Sequence, residues 1–238
     1  MPHLILVRHG QSEWNLEKRF TGWVDVELTG QGKLEASKAG EYIKEIKINI
    51  DHFYSSFQLR AISTLKLIQD TLRDRTTPIK AWQLNERHYG ALTGLNKDEM
   101  KQKFGEEKIH EFRRSWDIKP DPLDKNNAYH PLNIEIYKDI PKENIPDTES
   151  LKDTYERVMK FYNNEIQGKL QNNENILISA HGNSIRALCK FLFKLDNNKI
   201  SFLEIPTGNP LLIDLDAQLN IKKCFYLDKD RAKDLLVF

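Results

Sequence analysis

Apolar and polar positions along the chain follow two rhythms. Short apolar runs at residues 3–7 (HLILV), 50–56 (IDHFYSS), 78–84 (PIKAWQL), 175–180 (NILISA), 210–215 (PLLIDL) and 221–227 (IKKCFYL) read as strands. Between them the apolar residues recur every three or four positions, as on one face of a helix. A helix is predicted from Gly30 to Ile46, with Thr29 as its N-cap. A second covers residues 58–72, with Leu59, Ile62, Leu65 and Ile68 or Leu72 on one face. A third carries the stripe Leu151, Tyr155, Val158 or Met159, Tyr162, Ile166 and Leu170, and a fourth spans residues 184–193. Strands alternating with helices predict an α/β fold with a mostly parallel central sheet and helices on both faces. In such sheets ligands bind beyond the carboxyl ends of strands.

One segment breaks the rhythm. Pro120, Pro122, Pro131, Pro141 and Pro146, five of the nine prolines, fall within residues 117–146. A loop this long is a lid, a binding loop or disorder. The alternation resumes after it, so residues 1–238 read as one domain, with 228–238 as a short tail.

Composition narrows the partners. Lys and Arg number 36 against 35 Asp and Glu, a net charge of +1, so nothing in the bulk charge draws nucleic acid or an anionic membrane. An anion site must therefore be local. Cys189 and Cys224 are the two cysteines, which fits a reducing compartment and argues against a disulfide framework. No apolar run approaches membrane-spanning length, and the expected location is the cytoplasm.

The strand ends carry the chemistry. The first ends on Arg8, His9 and Gly10, and the fourth on His181, Gly182 and Asn183. The second leads through Ser55 and Ser56 to a helix with Arg60 in its first turn, and Glu86, Arg87 and Tyr89 follow the third. Two histidines, two arginines and a carboxylate could thus meet at one sheet edge. They suit phosphoryl transfer through histidine. Planar guanidinium groups on Arg8 and Arg60 grip phosphate oxygens. A neutral imidazole attacks phosphorus, and nearby cations keep it neutral. Glu86 can move the proton. With no metal-ligand motif in the chain, no metal is expected. Each feature alone has a plainer reading: a structural strand-end histidine, a solvated arginine, a surface Glu86–Arg87 pair.

The stretches LVRHGQSEWNLEKRFTGWVDVELT, SSFQLRAISTL, ERHYGALTGLNK, RRSWD, TESLKDTYERV, SAHGNSIRAL and IPTG run through nearly the whole chain. Together they resemble the phosphoglycerate mutases that depend on 2,3-bisphosphoglycerate, in the histidine phosphatase superfamily. The resemblance implies His9 as the phosphorylated nucleophile. It implies Arg8, Arg60 and His181 around the transferring phosphoryl group, with Asn15 and Gly182 assisting, and Glu86 as general acid and base. Thr21, Gly22, Tyr89, Lys97, Arg113, Arg114 and Asn183 would hold the substrate's carboxylate and second phosphate. The implied reaction interconverts 3-phosphoglycerate and 2-phosphoglycerate, in glycolysis and gluconeogenesis, after priming by 2,3-bisphosphoglycerate and without a metal. A homodimer or homotetramer is the expected assembly.

The chain departs from the family pattern at Leu59, at Asn209 and in its short tail. A shorter tail is expected to admit water and raise phosphatase side activity. A bisphosphoglycerate synthase or phosphatase, or a broader phosphomonoesterase, of the same fold is the first alternative, and a non-enzymatic phosphate-binding interaction protein the second. The remaining histidines, His3, His52, His88, His110 and His130, are read as surface or packing residues.

Overall fold

A computed structural model describes residues 1–236 of the chain. Strand β1 (His3–Arg8) lies inside a six-stranded sheet. Its parallel neighbour is β4 (Ile176–Ala180), in a register that sets Arg8 opposite Ala180. On its other side β5 (Leu211–Leu215) runs antiparallel. With β2 (His52–Ser55), β3 (Ile79–Lys80) and β6 (Ile221–Tyr226), the order is β3-β2-β4-β1-β5-β6. The sheet is mostly parallel, as the alternation predicts.

Period-two geometry explains the unbroken apolar run of β1. Leu4 and Leu6 pack on one face with Ile176, Ile178 and the helices α6 (Leu151–Phe161) and α8 (Gly182–Leu192). Ile5 and Val7 pack on the other with Phe53, Leu177 and the helices α2 (Gly30–Glu45) and α3 (Leu59–Leu72), which follow the short helix α1 (Glu13–Leu16) in the chain. Both faces are covered, so neither can be polar. Each fully buried Leu or Ile contributes roughly 1.5–3 kcal/mol relative to exposure. Thr29 caps α2 as expected, its Oγ1 accepting from the Gly32 amide at 3.0 Å. The Leu151-to-Leu170 stripe is buried through α6 and α7 (Gln167–Gln171) except at half-buried Tyr155, and a π-turn at Tyr162–Ile166 joins the two helices.

Three expectations are adjusted. The third strand shrinks to β3, because Trp82–Leu84 coils into a 3-10 turn and Trp82 packs beside buried Trp23. The α3 stripe is shifted: Ala61, Thr64, Leu65 and Ile68 are buried, while Leu59 and Ile62 stay half-exposed beside Phe57 and Ile136. The inward face of α3 keeps Leu65 and Ile68 but turns Ala61 and Thr64 toward the core beside Arg60 in place of Leu59 and Ile62. Residues 117–146 fold down into 3-10 turns at Pro131–Asn133, Glu135–Tyr137 and Lys142–Asn144. Buried Tyr137 packs on Trp23 and donates from its hydroxyl to the Trp23 carbonyl at 2.5 Å.

Among the described residues no helix is long and apolar enough to cross a membrane. The tail expectation reaches residues 237 and 238, which lie outside the described residues. Before them, the tail is held. Buried Asn209 donates to the Asp228 carbonyl at 2.9 Å and accepts from its amide at 3.1 Å. Arg231 donates to the Thr207 carbonyl at 3.1 Å. The departure at Asn209 therefore has a local reason: it clasps the chain leaving β6.

Candidate active site

The register of β1 and β4 brings two histidines side by side. The His9 amide donates to the Ala180 carbonyl at 3.0 Å, and the His9 and His181 rings stand 5.0 Å apart, tilted by 59°. His9 is 2% exposed. Its Nδ1 lies 2.7 Å from the Gly10 carbonyl. A carbonyl only accepts, so Nδ1 carries the proton and Nε2 keeps its lone pair. Burial, then the Arg60 and Arg8 charges, hold the His9 pKa well below the ordinary imidazole value. His181 is lowered in the same direction by burial and Arg60, and its Nε2 lies 2.7 Å from Ser56 Oγ.

Gly10 is required for a reason the sequence did not suggest. A Cβ there would stand 2.1 Å from the Gly32 carbonyl oxygen, so the loop after β1 packs backbone-to-backbone on the first turn of α2. The glycine serves this close approach of loop and helix. Arg60, buried and one residue into α3, donates to the Gly22 and Val24 carbonyls, each at 2.9 Å. It braces the loop carrying Thr21 and Gly22 while its charge reaches both histidines. Gln58 completes the brace. Its Nε2 donates to the Gly22 carbonyl at 2.9 Å, and its Oε1 accepts from the Glu86 amide at 2.9 Å.

Glu86 sits on an irregular segment that needs outside support. A buried Arg157–Glu149 pair provides it. Arg157 Nε donates to Glu149 at 2.6 Å, and its other nitrogens donate to the carbonyls of Gln83, Asn85 and Glu86. Glu149 in turn accepts from the His88 amide at 2.8 Å. Removing one partner of such a pair costs about 3–5 kcal/mol. So held, Glu86 Oε1 accepts from the Arg87 amide at 2.8 Å and the Asn183 amide at 3.2 Å. A Cβ at Gly182 would stand 3.6 Å from Arg8 Nε and 3.7 Å from Glu86 Oε2. Arg8 and Glu86 thus face each other across the bare backbone at the start of α8, where helix amides favour an anion.

A cavity of about 220 Å³ opens above this centre. Arg8, Glu86, Tyr89, Arg113, Arg114, Gly182 and Asn183 line it. A second cavity shares Arg8 and Arg113 and adds Asn15, Lys18 and Lys97. Two helices outside the sheet, α4 (Lys97–Phe104) and α5 (Glu106–Arg114), supply this cationic rim. Lys97 donates to the Arg19 carbonyl at 2.6 Å, and burial lowers its pKa to about 8. Arg114 lies 3.3 Å from Glu204, and Lys233 of the tail lies 3.9 Å from the same carboxylate.

The structure therefore places nine expected residues along the two cavities: Arg8, Asn15, Glu86, Tyr89, Lys97, Arg113, Arg114, Gly182 and Asn183. His9, Arg60 and His181 lie buried and line neither cavity, and Thr21 and Gly22 stand behind, on the loop that Arg60 braces. Residues 117–146 line neither cavity. Sequence reasoning missed Gln58, Arg157, Glu149, Arg186, Glu204 and Lys233. A polar residue set in an apolar helical stripe was the one available signal, for Arg157 and Arg186. Arg87 is no surface pair partner: it is fully buried, with its guanidinium 4.7 Å from the Tyr89 ring centre. Of the spare histidines, His88 and His130 are buried packing residues, and His3 pairs with Asp214 at 2.8 Å. Among the described residues no group of three or more His, Cys, Asp or Glu is arranged to hold a metal ion.

A histidine paired with a second histidine, two arginines and a carboxylate at the ends of parallel strands defines the class. The model of the histidine phosphatase superfamily (branch 1) matches residues 4–130 and 124–220, and the chain belongs to that superfamily. Solved structures share the fold. The mycobacterial glucosyl-3-phosphoglycerate phosphatase in complex with VO3 matches with TM-score 0.67 at 20% identity, over 90% of this chain and 93% of that one. The alpha-ribazole phosphatase from Shigella flexneri matches with TM-score 0.65 at 19% identity, over 92% and 93%. Sequence relatives are closer. The chain is 84% identical, over all of both chains, to the 2,3-bisphosphoglycerate-dependent phosphoglycerate mutase of Pelagibacter ubique (strain HTCC1062). It is 51% identical to that of Caulobacter sp. (strain K31), over 99% of this chain and 98% of that one. It belongs to this family of mutases.

Proposed function

We propose that the protein interconverts 3-phosphoglycerate and 2-phosphoglycerate through a phosphorylated His9, in the cytoplasm, as a step of glycolysis and gluconeogenesis. The observation that carries this reading is cationic charge at both ends of one site. Arg8 and Arg60 stand by the histidines, while Lys97, Arg113 and Arg114 stand on the rim. A phosphomonoester needs only the first set. A molecule with a phosphate and a second anionic group uses both.

The residues present fit 2,3-bisphosphoglycerate on the same grounds, with one phosphate at each cationic end; bound there, it supplies the phosphoryl group that primes His9. In the transfer, the free Nε2 of His9 attacks phosphorus. The N–P bond forms as the P–O bond to the glycerate breaks, and Glu86 gives its proton to the departing oxygen. The reverse step returns the phosphoryl to either hydroxyl, with Glu86 taking the proton back. Arg8, Arg60, His181 and the first amides of α8 carry the negative charge of the transition state. Burial of His9 keeps water from competing.

Phosphorus NMR of the protein mixed with 3-phosphoglycerate and a trace of 2,3-bisphosphoglycerate tests this. The expected spectrum shows 2-phosphoglycerate and phosphohistidine growing in, with little free phosphate, and neither signal with His9→Ala. Full mutase activity in His9→Ala overturns the reading. So does phosphate release faster than isomerisation.

A further inference from the structure

Arg186 belongs to none of the roles described so far, yet it lines the central cavity from one turn inside α8. It is buried, and three acceptors hold its guanidinium. Nη1 donates to Asn183 Oδ1 at 2.9 Å, and Nη2 donates to the Arg114 carbonyl at 3.2 Å and the Ile200 carbonyl at 2.5 Å. Asn183 Nδ2 lies 3.1 Å from the Tyr89 hydroxyl oxygen. All three side chains face the same space.

The direction of this chain is not free. A guanidinium has five donors and no acceptor, so only the oxygen of the Asn183 amide can face it. The amide nitrogen is then turned to Tyr89, and it too can only donate. The Tyr89 oxygen must accept, which leaves its single proton without a use inside the chain. With the amide reversed, Asn183 would put donors against Arg186, and Tyr89 would give its proton to the amide oxygen.

We propose that Arg186 is a positioning residue that sets the polarity of the chain Arg186–Asn183–Tyr89, so that the Tyr89 hydroxyl presents its proton to an anionic group of the phosphoglycerate. The proposal rests on the reading that a phosphoglycerate occupies this cavity. It also explains why α8 buries an arginine beside Asn183 on the side that faces the cavity. A lysine could not meet Asn183, Arg114 and Ile200 at once.

The charges around Tyr89 act in the same sense. Burial pushes its phenol up, but Arg87, Arg113 and Lys97 overcome this, and Glu86 opposes them. The net result is a hydroxyl more acidic than an ordinary tyrosine, hence a stronger donor to an oxyanion. Arg114 and Arg186 add positive charge from α5 and α8. Burial beside Arg114 and Arg87 lowers Arg186 itself to about 9, so it remains a donor-only cation at neutral pH.

The test compares Arg186→Lys with Arg186→Gln. Both lose the fork to Arg114 and Ile200, but lysine keeps a donor-only group facing Asn183, whereas glutamine can present either end. The expected result is a KM and an equilibrium Kd for 3-phosphoglycerate about tenfold above wild type for Arg186→Gln, and within about threefold for Arg186→Lys, with kcat changed less than KM in both. In a Tyr89→Phe background the Lys–Gln difference should vanish, because the chain no longer ends in a proton. Equal effects of Lys and Gln, or a difference that survives in Tyr89→Phe, overturn the proposal while leaving the mutase reading intact. Wild-type protein that binds no 3-phosphoglycerate overturns both.

Discussion

The floor of the site and its rim are built by opposite means. The floor comprises His9, His181 and Arg60. It hangs on the ends of central strands and on α3 and is buried, with His9 Nδ1 and the Arg60 guanidinium held by backbone carbonyls and His181 Nε2 held by Ser56 Oγ. The rim comprises Lys97, Arg113 and Arg114. It stands on α4 and α5, outside the sheet, and its cations are partly exposed, with one exposed carboxylate, Glu204, paired to Arg114. The proposed mechanism asks the floor to hold its histidines neutral and the rim to hold its cations charged. One concentration of positive charge serves the first demand and strains the second. Arg8 and Arg60 lower His9, and the same crowding, added to burial, lowers Lys97 to about 8.

The largest way to break this comparison is Arg60→Met. If the floor sets the chemistry, kcat should fall by about 10³-fold, the range seen when one preorganised donor is removed. The melting temperature should fall as well, because the Gly22 and Val24 carbonyls lose their donor. Steady-state kinetics beside a thermal melt check both. A change confined to KM would place Arg60 with the rim.

A smaller effect separates the two regions by pH. Lys97 is lowered in the folded protein, so it loses its charge as pH rises through about 8, well before an ordinary lysine. Affinity for 3-phosphoglycerate should weaken through that range while kcat stays level, since the floor histidines are already neutral there. Lys97→Arg should flatten the alkaline limb of a KM–pH profile recorded from pH 6.5 to 9.5. An unchanged limb would assign it to another group.

The smallest effect lies at the outer edge. Glu204 occupies Arg114 and Lys233 when no substrate anion does. Glu204→Gln is expected to lower KM about two- to fourfold, with the gain shrinking in high salt because the charges are partly exposed. A rise in KM would make Glu204 a substrate partner.

The same contrast decides what could be read from the sequence. Strands 1, 2 and 4 and helix α2 were legible because burial on both sheet faces demands apolar runs, and because Thr29 has its hydrogen bond three residues away. His9, Arg60, Glu86 and His181 were legible because they stand where those runs stop. β3 was overread: PIKAWQL has strand composition, but it lies at the sheet edge, where Trp82 gains more by packing beside Trp23. The supports were illegible for a different reason. Apart from the charge set in an apolar stripe at Arg157 and Arg186, nothing local marks them: Gln58, Glu149 and Arg157 act through backbone groups distant in sequence, and no local pattern marks a carbonyl that needs a donor. Asn209 was visible only as a departure; its partner, the backbone of Asp228, could be found only in three dimensions.

On the proposed mechanism, a phosphoryl group taken up by His9, of which only 2% meets solvent, would outlast the encounter that delivered it. The molecule would then carry a chemical memory of one meeting with bisphosphoglycerate through a long train of exchanges. The fraction of molecules ready to work would be set by history more than by how much bisphosphoglycerate is present at that moment. A trace would start the population, and the depth of one imidazole would determine how long it stays started.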